Sequence, residues 1–181
     1  MAAVSSFLSV EQFDQLYEGE KPHFEYWFGV AVQKSMPTAL HGLLQGLIMM
    51  LLLRRGWKAT VETRLKISRV AQPVPDVVAD HARIQDPYPT EPFDLCIEIL
   101  SPQDRLPKVF EKCAHYLDWG IGSTWIIDPK ARKAYSMSRE SPVPVEIGIT
   151  GALTAGAGGE LILPLRELFA EVDKMLGESA H

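Results

Sequence analysis

The run at residues 95–100, Leu-Cys-Ile-Glu-Ile-Leu, constrains this chain more than any other stretch. It is apolar except for Glu98 and shows no regular alternation, which predicts a central strand covered on both faces. A sheet with such a strand needs helices packed on it, and the flanking sequence supplies them. Residues 38–55 predict a long helix capped by Thr38, with Arg54 and Arg55 in its last turn and Gly56 closing it. Residues 104–118 predict another, capped by Asp104, with Pro107 tolerated in the first turn and Val109, Cys113, Tyr116 and Leu117 forming its apolar stripe.

Two further strand-like runs lie between these helices. Residues 58–67 alternate through Ala59, Val61 and Leu65, and residues 74–79 are short and apolar. After Gly120, residues 124–127 predict a second buried strand. Ahead of this core, Ser9 caps a short helix through Tyr17 that ends at Gly19, and residues 24–33 predict one strand rich in aromatic and β-branched side chains. Behind it, residues 133–138 and 144–149 predict a hairpin region, and residues 165–176 a closing helix. The core order is α-β-β-β-α-β, an α/β (α+β) sheet domain.

With 181 residues, no repeats and no linker, the chain is expected to form one domain over residues 1–181. Its 46% apolar and 23% charged residues are those of an ordinary globular protein. The first twenty residues lack a signal-peptide pattern, and the apolar stretch 43–53 is too short to span a bilayer, so a cytoplasmic protein is expected. Cys96 and Cys113 have no metal-ligand spacing and read as reduced core residues. A formal charge of −5 argues mildly against a nucleic-acid coat protein but does not exclude a nuclease, whose cation site must be acidic and whose local basic patches can still steer substrate. The tail from Arg139, including the glycines at 156 and 159, offers no functional signal.

Glu98 stands where a carboxylate costs several kcal/mol unless a partner compensates. One reading makes it a structural ion-pair partner of a lysine or arginine; the other makes it part of a site. Asp76, after Pro75 at the edge of the 74–79 run, favours the second reading, although Pro-Asp is also a turn signal. Two acids entering from neighbouring strands suit an oxygen-ligated cation such as Mg²⁺, which takes one or two carboxylates and fills its shell with water and phosphate. Lys112 lies on the helix after Glu98. The residues three and four positions away are Lys108, Val109, His115 and Tyr116, so it has no local carboxylate and is either a surface lysine or aimed at the sheet end.

The ordered blocks Pro75-Asp76-Val77-Val78, Cys96-Ile97-Glu98-Ile99-Leu100-Ser101-Pro102, then Asp104, Lys112, Tyr116 and Gly120, then Trp125-Ile126-Ile127-Asp128-Pro129, resemble the Uma-type restriction endonuclease family of the PD-(D/E)xK nuclease superfamily. Glu25, Gly29 and His41 match it as well, and the likeness runs from about residue 8 to 138. The resemblance implies a mixed central sheet flanked by helices, Mg²⁺ (or Mn²⁺) bound by Asp76, Glu98 and the backbone carbonyl of Ile99, and DNA as substrate. It also implies Lys112 as catalytic lysine, because the superfamily's lysine position two residues after Glu98 holds Leu100. Glu25 is implied as an additional carboxylate, His41 as a contact, and a homodimer as the assembly for double-strand cleavage. The alternatives are a catalytically inactive DNA- or protein-binding module on the same fold, or a protein in which Glu98 and Lys112 form only a structural pair.

Overall fold

The computed structural model describes residues 7–156 and 159–177; residues 1–6, part of the segment read for a signal peptide, and residues 157 and 158 of the glycine-rich stretch lie outside them. Ser9 opens α1 (Val10–Tyr17) through a capping box. Its hydroxyl accepts from the Gln12 N–H, and the Gln12 side chain accepts from the Ser9 N–H. The single strand predicted over residues 24–33 is instead a hairpin of β1 (Phe24–Trp27) and β2 (Val30–Gln33). Phe28 and Gly29 turn the chain with φ of 48° and 91°, the positive pair that a tight two-residue hairpin needs. Phenylalanine is not a usual residue there, so the turn leaves little trace in the sequence.

Helix α2 (Ala39–Arg54) is capped as expected, with Thr38 accepting from the His41 N–H. Strand β3 (Lys58–Val61) is shorter than the predicted 58–67, because Glu62 takes φ of 47° and breaks the extended chain. A two-residue strand, β4 (Ala71–Gln72), follows; no periodicity reveals so short an element. Then come β5 (Val77–Asp80), β6 (Leu95–Ile99), α3 (Leu106–Asp118) and β7 (Ser123–Asp128). Asp104 does not cap α3: Arg105 occupies that position, and the Asp104 carboxylate accepts from the Ser101 N–H in the preceding loop. The chain continues through β8 (Lys133–Ser138), β9 (Val145–Ile147), β10 (Ala152–Ala155), β11 (Leu161–Pro164) and α4 (Leu165–Leu176). The β10–β11 hairpin was not expected.

The main sheet has the order β3-β5-β6-β7-β8-β9. Only β6 and β7 run parallel, joined by the α3 crossover; the other pairs are antiparallel, so the sheet is mixed. A smaller sheet, β2-β1-β4, sits beside it. Leu95, Ile97 and Ile99 point to one face of β6, into a core with α2, α4 and the β10–β11 hairpin. Cys96 points to the other, against Cys113, Tyr116 and Leu117 of α3. The alternation along a strand sends Glu98 to the same side as Cys96, under α3. Strand β6 is buried throughout, as its composition predicts, and both cysteines are buried and free. Among the described residues no helix is long and apolar enough to cross a membrane.

Candidate active site

Three carboxylates from separate elements meet at the carboxyl end of β6. Glu25 comes from β1, Asp76 from the residue before β5, and Glu98 from β6 itself. Each is almost fully buried, at 6%, 3% and 7% exposure. Charges so deeply buried need counter-charges or they neutralise. Lys112, reaching down from α3, places Nζ 2.8 Å from Glu25 Oε1 and 2.9 Å from Glu98 Oε1. Lys34, the residue after β2, donates to Asp76 Oδ1 at 2.7 Å and to the Val74 carbonyl at 2.8 Å.

The remaining contacts fix the carboxylates in place. Asp76 Oδ2 accepts from the Ile99 N–H at 2.7 Å and lies 3.2 Å from His41 Nε2. Glu98 Oε1 also accepts from the Tyr116 hydroxyl at 2.7 Å. Glu25 accepts from the Val74 N–H at 2.8 Å and from the Trp27 indole at 3.0 Å. Lys112 and Tyr116 act on the same oxygen because they are four residues apart and share one face of α3. His41 lies in the first turn of α2, and Gln45 one turn later donates to the Asp76 carbonyl at 2.8 Å.

These groups hold their charges unequally. Burial pushes the Asp76 carboxyl up, but the His41 hydrogen bond and the Lys34 ammonium outweigh it and keep the group well below the usual carboxylate range. Burial likewise raises Glu25, yet Lys112 and Lys34 bring it below its ordinary value. Burial pushes Glu98 up to about 7; Lys112 opposes the shift and the Asp76 carboxylate adds to it. Lys112 stays protonated, because Glu25 and Glu98 more than offset its burial.

The cluster lines a cavity of about 220 Å³ that also takes in Ile99, Leu100, Ser101, Arg105 and Lys108. Every site residue singled out in the sequence, Glu25, His41, Asp76, Glu98, Ile99 and Lys112, therefore borders one cavity. The sequence reading missed Lys34, since a lysine at a strand end looks like any surface lysine. Tyr116 stands out in the sequence through its apolar stripe and the family blocks, but its hydrogen bond to Glu98 does not.

The donors suit a hard divalent cation. Among the described residues no three His, Cys, Asp or Glu side chains are grouped to hold a metal by themselves. Mg²⁺ does not require that, because water and substrate oxygens complete its shell. Glu98 Oε2 makes no hydrogen bond among the described residues, and Asp76 Oδ1 accepts only from Lys34, so these are the least engaged oxygens of the two carboxylates.

The sequence matches the family model for Uma2, described as a putative restriction endonuclease, over residues 10–164. The fold superposes on a crystal structure from Anabaena variabilis, described as a putative nuclease belonging to DUF820, with a TM-score of 0.78 and 23% identity. The match covers 91% of this chain and 99% of that one, a likeness of fold. No match was found among curated proteins.

Proposed function

The chain belongs to the Uma2 family, and we propose that it is a metal-dependent endonuclease that hydrolyses DNA phosphodiester bonds at the Glu25–Asp76–Glu98–Lys112 cluster. The observation that carries this reading is the convergence of three buried acids, drawn from β1, the start of β5 and β6, on one cavity with a lysine from α3. A fold has little reason to bury three carboxylates together for stability alone, since well-packed apolar residues serve that end as well or better.

Asp76 and Glu98, with the Ile99 carbonyl, would hold Mg²⁺ or Mn²⁺. Bound there, the ion supplies a Lewis acid for the phosphate and an acidified water. The protein's own groups prepare the rest. His41 and the Ile99 N–H orient Asp76, and Tyr116 orients Glu98. Lys112, fixed by Glu25, keeps a full positive charge beside the cavity for the charge that develops on the phosphoryl oxygens. Arg105 and Lys108, which line the cavity's exposed side, would meet the DNA backbone. Cutting both strands of a duplex calls for two such sites, so a homodimer is the assembly this reading expects. The cytoplasm, where free thiols such as those of Cys96 and Cys113 persist, is the expected compartment.

One observation favours a second reading. All three acids already have lysine partners, which would suffice for a catalytically silent module on the same fold. Plasmid cleavage separates the two. The wild type with Mg²⁺ or Mn²⁺ should nick or linearise DNA, and Glu98→Gln and Asp76→Asn should reduce the rate at least about a hundredfold, as loss of a catalytic electrostatic group does. Full cleavage by either variant would remove this cluster from the reaction. No cleavage by wild type with either ion would favour the silent module.

A further inference from the structure

We infer that Lys34 is a built-in counter-cation that holds Asp76 while the site is empty of metal and must yield Asp76 Oδ1 before a divalent ion can bind; the inference rests on the metal-dependent reading above. The lone pairs of Asp76 set the competition. Its Oδ2 is taken by the Ile99 N–H and His41 Nε2, so a cation approaching Asp76 has only Oδ1. That oxygen carries the Lys34 ammonium at 2.7 Å, within the range of a charge-assisted hydrogen bond.

Lys34 is the more displaceable of the two lysines. Lys112 is clamped between two carboxylates, Glu25 and Glu98, and its stem belongs to a packed helix. Lys34 binds one carboxylate and one carbonyl, lies outside any helix or strand, and borders the cavity. An ammonium has three donors, and two of those of Lys34 are used. A divalent ion at Asp76 Oδ1 would stand close against this ammonium, so the two cations compete for that oxygen by charge, and Lys34 sets the metal concentration at which the site fills. The same contact lets the acidic cluster fold without metal, since Asp76 is never left without a counter-charge.

A structural role and a competing role differ in sign. Removing a residue that only supports the site weakens metal binding, whereas removing a competitor strengthens it. Mn²⁺ binding by titration calorimetry and metal-free melting temperature should be measured for wild type, Lys34→Met and Glu98→Gln. Lys34→Met should bind Mn²⁺ about tenfold more tightly, a coupling of ordinary size between two competing cations, and melt at a lower temperature without metal. Where Lys34→Met does not fold, Lys34→Gln keeps a donor for the Val74 carbonyl and serves the same test. Mn²⁺ affinity equal to or weaker than wild type in the folded Lys34 variant, with binding abolished by Glu98→Gln, would overturn the role of Lys34 and leave the metal reading standing. Absence of Mn²⁺ binding in wild type and Lys34 variant alike would overturn both.

Discussion

Glu98 is the one acid of the three whose burial outweighs its charged partners. Burial pushes its ionisation up from the ordinary 4.5 to about 7, so the folded, metal-free protein retains a proton that the unfolded chain releases across that interval. The folded state therefore loses stability from Glu98 as pH rises from about 4.5 to about 7, and the loss is complete above that. Glu98→Gln should consequently melt above metal-free wild type at about pH 8 and lack this part of the pH dependence. Metal binding requires the ionised carboxylate, so apparent Mn²⁺ affinity of the wild type should fall roughly tenfold per unit below about pH 7. A pH-independent affinity across that range would mean Glu98 is not a ligand. Asp76 behaves oppositely: its carboxyl lies below the usual range, so its contribution is present above the unfolded value and is lost only as strong acid protonates it. Glu98 and Asp76 were legible because an acid interrupts one apolar run and stands at the edge of another. Lys34 was not, because its significance depends on a hairpin register that brings it 42 residues along the chain to Asp76.

At the scale of elements, the segments that declare themselves carry either a cap or an uninterrupted apolar face. Helix α4 spans Leu165–Leu176, matching the expected 165–176, and β6 lies within the expected 95–100. The failures are short or bent. The β1–β2 hairpin hid behind an unusual turn residue, β4 has two residues, and β10–β11 lies in a tail without strong periodicity. The hairpin matters most for the proposed site, since β1 positions Glu25 and the end of β2 positions Lys34. Gly29 permits its turn with φ of 91°. Gly29→Ala should cost about 1 kcal/mol or more in a denaturant melt, because a side chain strains that conformation. Unchanged stability would show that the turn is not under this constraint.

The whole molecule is a mixed sheet with apolar cores on both faces and a buried carboxylate–lysine cluster at the carboxyl end of β6. Leu44, Ile48, Trp125 and Phe169 seal the face under α2 and α4, and Cys113, Tyr116 and Ile126 seal the face under α3. These cores hold Glu98 against α3 despite the energetic cost of burying it. Composition and pattern made the layered architecture readable; the ion-pair cluster required the three-dimensional register of β1, β5, β6 and α3. The proposed activity depends on metal binding at that cluster. The most direct test is a thermal melt of wild type and Glu98→Gln at about pH 8, each with and without millimolar Mn²⁺. A ligand that binds only the folded state raises the melting temperature, so a rise confined to the wild type is expected. No shift in the wild type, or an equal shift in both proteins, would contradict the assignment of Glu98 as a metal ligand.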